Sequence, residues 1–126
     1  MARTRFEELR VYRLAEEIGD LAWNTVVKWH RLAQETTGRQ LINAADSMGA
    51  NIAEGAGRGS IPENRRFAKI ARGSLFEMKH WLRRAYKRKL LSEEEVRAFQ
   101  PLIEEITPKL SAYINSMQNG RSKPHN

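Results

Sequence analysis

The sequence predicts an all-α fold, an antiparallel up-down-up-down four-helix bundle, and three observations carry that expectation. Four segments repeat apolar residues at helical spacing, three short connections separate them, and no run alternates apolar and polar residues as a half-buried strand does. At 126 residues with 40% hydrophobic content, the chain is long enough for one core and too short for two. The helical domain is expected over residues 6–117, followed by a flexible polar tail over 118–126.

The first helix is expected from about residue 8 to 31. Val11, Leu14, Ala15, Ile18, Leu21, Ala22, Thr25 and Trp29 form its apolar face, Tyr12, Gly19, Trp23 and Val26 widen it, and Arg10, Arg13, Glu17, Asp20, Asn24 and Lys28 fall opposite. A face that broad asks for more than one neighbour. Thr36, Thr37 and Gly38 read as the turn into the second helix. There Leu41, Ala45, Met48, Ile52 and Ala56, with Gly49 and Ala53 beside them, make a thin apolar face that lets another helix come close. Ser47, Asn51, Glu54 and Arg58 form a polar edge, with Glu54 and Arg58 in the favourable i,i+4 order. The run Gly57-Arg58-Gly59 ends that helix, and Ser60 is the N-cap of the next, with Pro62 and Glu63 in its first turn.

The third helix is expected from residue 62 to about 89, with Phe67, Ile70, Ala71, Ser74, Met78, Trp81, Leu82 and Ala85 inward. Leu90 and Leu91 close the bottom of the core, and Ser92 with Glu95 three residues on is a capping box that starts the last helix. Its stripe is Val96, Phe99, Ile103, Ile106, Leu110, Tyr113, Ile114 and Met117, and Pro101 and Pro108 predict bends or a restart at Pro101.

Several chemistries are excluded or unsupported. The absence of cysteine rules out disulfides, a thiol nucleophile and cysteine-containing zinc sites, while His30, His80 and His125 have no metal-ligand spacing, so no metal or cofactor is expected. No apolar run approaches membrane-spanning length and the start is not signal-like, so no membrane association and a cytoplasmic location are expected. Ser47, Ser74, His30 and His80 have no sequence context that orders a nucleophile and base. The neighbouring glutamates Glu7 and Glu8, Glu16 and Glu17, and Glu104 and Glu105 point in different directions on a helix. Gly55, Gly57 and Gly59 imitate a phosphate loop superficially, without a preceding strand, and helix termination explains them better. No enzymatic turnover is expected. Asn51, Glu54, Ser74 and Glu77 read as a structural polar seam between the second and third helices.

Charge is the most informative feature. Of the formal net charge of +7, residues 62–91 alone contribute ten basic and two acidic side chains, whereas residues 92–117 are net acidic. At 100° per residue Arg65, Lys69, Arg72, Lys79, Arg83 and Lys87 fall in a stripe opposite the expected core face, with Arg66, Arg84 and Arg88 along one edge and Phe76 in its midst. Like charges at i,i+4 repel, so the stripe is destabilising until an anion neutralises it. The candidate nucleic-acid-binding set is therefore Arg65, Lys69, Arg72, Phe76, Lys79, Arg83 and Lys87, acting through phosphates, with Phe76 available to stack on a base or to enter a subunit contact. The alternatives are a protein-protein adaptor whose basic face docks an acidic partner, and a solvated charged face with one scattered aromatic.

Phe6-Glu7-Glu8-Leu9 with Val11-Tyr12 and Ala15, Gln40-Leu41 with Ala44-Ala45-Asp46-Ser47, Asn51-Ile52-Ala53-Glu54-Gly55 through Gly57-Arg58, and Glu63, Phe67, Ile70-Ala71, Gly73-Ser74 and Glu77 carry a resemblance. Over roughly residues 6–91 the sequence resembles the four-helix-bundle family typified by proteins encoded in intervening sequences of bacterial large-subunit (23S) ribosomal RNA genes. The resemblance implies a four-helix bundle, a closed ring of five subunits and no established catalytic activity. It also implies structural roles for Asn51, Glu54, Gly55, Ser74 and Glu77. A relative of the same fold looks like the accessory variability protein of diversity-generating retroelements, a basic pentamer that partners a reverse transcriptase and its nucleic acid. By that likeness a homopentamer, nucleic acid and a reverse transcriptase are the expected partners.

Overall fold

The computed structural model describes residues 5–118, and all regular structure among them is helical. A single 3₁₀ turn, Phe6–Glu8, leads into α1, Arg10–Val26. The second helical stretch begins with one α turn, Arg31–Ala33, passes through a π-helical segment, Gln34–Gly38, and continues as α2, Arg39–Ala56. Helix α3 spans Ile61–Lys87 and α4 spans Glu93–Asn115. The main contacts run from α1 to α2, α2 to α3, α3 to α4 and α4 back to α1, so the four helices enclose one core. Leu14, Ile18, Leu41, Met48, Ile52, Leu75, Met78, Ile106, Leu110 and Ile114 fill it and are shut off from solvent. Each such side chain contributes about 1.5–3 kcal/mol by leaving water. No helix among the described residues is long and apolar enough to cross a membrane.

The connection between the first two helices lies earlier than the residue types suggest. Helix α1 stops at Val26, and Gln34 Nε2 donates to the carbonyls of Val26 and Val27 at 3.2 and 3.0 Å, supplying donors that a further turn would have supplied. His30 caps the next helix, its Nδ1 accepting from the Ala33 amide at 3.4 Å. Thr36, Thr37 and Gly38 are therefore helical residues rather than a turn. Thr36 Oγ1 donates to the Leu32 carbonyl at 2.7 Å, and Thr37 is buried and accepts from Arg88 Nη1 at 2.6 Å. Gly38 is small because α1 crosses there: a Cβ would lie 2.6 Å from Val26 Cγ1. Small and β-branched residues commonly mark a turn, and here packing uses them inside a helix.

The α2–α3 corner and the α4 start form as expected, with two corrections. Ser60 Oγ accepts from the Glu63 amide at 3.2 Å, but the Glu63 side chain turns to Arg66 instead of completing a capping box. At Ser92 and Glu95 both halves of the box form, at 3.1 and 2.9 Å. Of the three glycines read as helix-terminating, Gly59 has φ +86° and makes the corner, while Gly55 is buried within α2. A Cβ on Gly55 would stand 2.8 Å from Phe67 Cβ and 3.0 Å from the Asn64 carbonyl oxygen, so the glycine permits backbone approach between α2 and α3.

Two further expectations change. The inward face of α3 includes Ala68 and Leu75, which turns Ile70 outward to 42% exposure. Helix α4 runs through Pro101 and Pro108 without a restart. Both prolines are exposed, as are Arg97 and Glu104, whose carbonyls lack their usual amide donors, so water replaces those bonds at little expense. The expected tail lies, from residue 119 on, outside the described residues.

Gly55→Ala is expected to destabilise the fold by about 1–3 kcal/mol, because the opposing atoms include backbone that does not move aside. Urea denaturation followed by circular dichroism reads this directly, and a variant as stable as the wild type would show that α2 and α3 are not in tight contact there.

Candidate nucleic-acid interface

The ten basic residues of the 62–91 segment divide by what they touch. Arg66 alone among them reaches a carboxylate of the described residues, Glu63 at 3.2 Å, and it also covers the Phe67 ring at 4.6 Å. Arg65 and Arg72 lean onto α4: Arg65 Nε donates to the Ile114 carbonyl at 3.3 Å and Arg72 Nη1 to Ser111 Oγ at 3.4 Å. Arg88 is held by Thr37. Lys79 is half-buried, with its ammonium 5.2 Å from the centroid of Phe76, which is 56% exposed. Lys69, Arg83 and Lys87 are exposed and have no ion-pair partner among the described residues. The expected stripe is thus real as a charge concentration but not uniform in direction. Lys69 and Lys87 point furthest from the core, while Arg65, Arg72, Lys79 and Arg83 line the flank that faces α4.

The polar seam forms around a different hub. Asn51 Nδ2 donates to the Ser47 carbonyl at 2.8 Å and to Ser47 Oγ at 3.0 Å, and the Ser74 hydroxyl donates across the helix pair to Ser47 Oγ at 2.8 Å. Glu54 and Glu77 are not part of it. Glu54 is exposed and pairs with Arg58 at 2.8 Å, as its i,i+4 spacing predicts, and Glu77 is exposed beside Trp81 Nε1 at 3.5 Å. The serines sit apart from the histidines in role as well: His30 is a helix cap, and exposed His80 packs edge-on against Trp81 at 4.7 Å.

Two features escaped the sequence. The first is a cleft of about 490 Å³ between α3 and α4, with Leu82, Leu91, Val96, Phe99 and Ile103 as its apolar lining and Arg83, Tyr86, Glu93, Gln100 and Glu104 as its polar residues. Tyr86 is fixed there by donating to Glu93 at 3.0 Å. Apolar α3 and α4 residues look like core in a sequence, and only their separation in space opens the cleft. The second is an acidic outer face on α1 and α2. Glu16, Asp20 and Asp46 form no ion pair among the described residues, and an added Cβ on Gly19 would lie 2.7 Å from Asp46 Oδ1. Partial burial, reinforced by the Asp20 charge, raises the Asp46 pKa above the usual aspartate range.

Ser74→Ala is expected to cost about 1 kcal/mol in chemical denaturation and to couple non-additively with Asn51→Ala, since both bond to Ser47. Nucleic-acid affinity unchanged by Ser74→Ala would fit a structural seam, and a large drop in affinity with unaltered stability would make it part of a site. Asp46→Asn is expected to stabilise the fold at neutral pH. A raised carboxyl pKa means that ionisation weakens the wild-type fold as pH rises from the unfolded value through the folded one, so the gain should vanish below the usual aspartate range. A variant whose advantage over wild type ignores pH would exclude this origin.

No curated protein matches the chain. The family model for 23S rRNA-intervening sequence protein matches residues 7–112, a span that takes in α1, α2, α3 and most of α4. With its four helices around one core and a match over most of its length, this chain belongs to the 23S rRNA-intervening sequence protein family.

Proposed function

We propose that the protein is a non-enzymatic, basic oligomeric scaffold that binds nucleic acid, RNA or DNA, through phosphate contacts from α3. The observation that carries this reading is the concentration of cations on α3 that lack carboxylate partners among the described residues. Unneutralised cations on one helix repel one another, and a phosphate backbone relieves that repulsion while releasing counterions. Lys69 and Lys87 lead the contact because they point furthest outward. A helix surface of mixed lysine and arginine has no evident base-reading set, so sequence preference is weak.

The fold in this reading is an antiparallel up-down-up-down bundle. Lys28 pairs with Glu95 at 3.1 Å and Arg10 with Glu105 at 2.9 Å, which sets the end of α1 against the start of α4 and supports opposite directions for the two helices. The subunits assemble in a ring, five being the number drawn from the family likeness. Exposed Trp23, Val27 and Phe76 supply apolar surface for such contacts. Repetition around a ring turns weak phosphate contacts into avidity, and service as an accessory to a reverse transcriptase in the cytoplasm is a role this architecture suits.

Lys69→Gln with Lys87→Gln, titrated with salt against generic duplex and structured RNA, tests the reading. Wild-type binding is expected to weaken steeply with salt, and the double variant to bind more weakly, with a log–log salt slope shallower by about 0.9 for each duplex phosphate it no longer neutralises. Binding that ignores salt, or a variant indistinguishable from wild type, would favour the adaptor alternative in which the basic face docks an acidic protein.

A further inference from the structure

Two surfaces on opposite sides of the molecule complement each other. On α1 and its C-cap, Glu16, Asp20, Trp23 and Val27 succeed one another at helical spacing; Trp23 is 57% and Val27 50% exposed. The two carboxylates have no ion-pair partner among the described residues. On α3, Lys79, Arg83 and Tyr86 follow at the same intervals of four and three residues, and Tyr86 stands at the apolar cleft between α3 and α4. These cations likewise lack carboxylate partners among the described residues. Helices α1 and α3 are separated by α2 on one side and α4 on the other, so the two surfaces cannot meet within a single chain.

We infer that a second copy of this chain docks head to tail, the α1 stripe of one subunit lying along the α3 flank of the next, with Trp23 entering the α3–α4 cleft. Matched in the same direction, the spacings place Glu16 on Lys79, Asp20 on Arg83 and Trp23 on Tyr86 over a rise of about 10 Å. A cavity of about 490 Å³ is of a size that accepts an indole. The inference rests on the ring assembly proposed above and names its contact. In a bundle with α1 and α3 parallel, a rotation axis along the helices carries α1 of one copy alongside α3 of its neighbour in the same direction, which the matched register requires. Patches on opposite sides make the contact heterologous, the kind that closes rings when the rotation allows. The stripe on α3 thereby divides: Lys79 and Arg83 serve the subunit contact, and Lys69 and Lys87 remain for phosphate.

Sedimentation equilibrium of two variants and their mixture tests this. Trp23→Glu removes the inserted side chain but leaves the α3 flank intact, whereas Lys79→Glu with Arg83→Glu reverses the flank but leaves α1 intact. Each alone is expected to sediment as one chain with an unchanged helical spectrum. An equimolar mixture has one competent contact and is expected to give a two-chain species and nothing larger. Because the chain has no cysteine, Asp20→Cys with Arg83→Cys in one chain supplies a second measurement, since mild oxidation then links only different copies and gives a ladder of multimers. Either sedimentation variant retaining the wild-type mass, a mixture that forms no two-chain species, or oxidation that links no copies would overturn this contact while the ring reading stands. A wild-type protein that is itself a single chain would overturn both. Lys69→Gln with Lys87→Gln keeping its assembled mass while binding nucleic acid more weakly is the expected result for the divided stripe, and failure to assemble in that variant would contradict it.

Discussion

The close approach of α2 and α3 is the constraint on which the other contacts depend. Gly55 lets the backbone at Asn64 and the Phe67 side chain come within reach, and the small residues Ala44, Ala45 and Ala71 keep the surrounding core thin. Such proximity brings Ser74 within hydrogen-bonding distance of Ser47, which Asn51 also engages. Buried apolar contact supplies the larger share of the stabilisation, and the polar bond fixes the register in which that contact is made. Gly59, at the corner between the two helices, adopts the positive φ that turns the chain back.

Helices α1 and α4 close the core from the other side, with ion pairs at their margin. Two glutamates of α4 are drawn toward α1, Glu105 to Arg10 and Glu95 to Lys28, whereas Glu93 and Glu104 line the α3–α4 cleft with Arg83, and Glu93 accepts from Tyr86. Glu95 has a depressed pKa, chiefly because its carboxylate accepts from the Ser92 amide in the capping box and then because Lys28 lies beside it. The Glu95 and Glu105 carboxylates are thereby unavailable to α3, where Lys69, Arg83 and Lys87 have no ion-pair partner among the described residues. The same placement leaves Arg65 and Arg72 to satisfy themselves on a carbonyl and a hydroxyl of α4.

Function follows from how little the fold depends on those charges. Exposed ion pairs are individually weak, so Arg10–Glu105 and Lys28–Glu95 add little to stability, and unpaired cations on α3 subtract little. The fold tolerates the charge because the opposite side of α3 buries Phe67, Leu75 and Met78. Charge concentrated where burial does not need it is available for an outside partner, whether a phosphate backbone or the acidic face of another copy.

How much was legible in the sequence follows from which interactions are local. Helical periodicity, the Ser60 and Ser92 caps, the Glu54–Arg58 pair and the charge concentrated on the third helix are set by residues within a few positions of each other, and the sequence alone determined them. The family resemblance was legible because it is carried by short runs of adjacent residues, from Phe6-Glu7-Glu8-Leu9 to Gly73-Ser74, and the family match spans residues 7–112. Non-local packing decided the rest. Thr36, Thr37 and Gly38 have turn composition, but contact with Val26 and Arg88 holds them inside a helix. Ile70 has core chemistry, but the tilt of the inward face toward Ala68 and Leu75 leaves it at the surface. Pro101 and Pro108 predict bends or a restart, and α4 continues through both without restarting, its prolines facing water. The α3–α4 cleft exists only as a distance between two helices, and a distance between segments is fixed by how whole side chains interlock across the core, which no local spacing encodes.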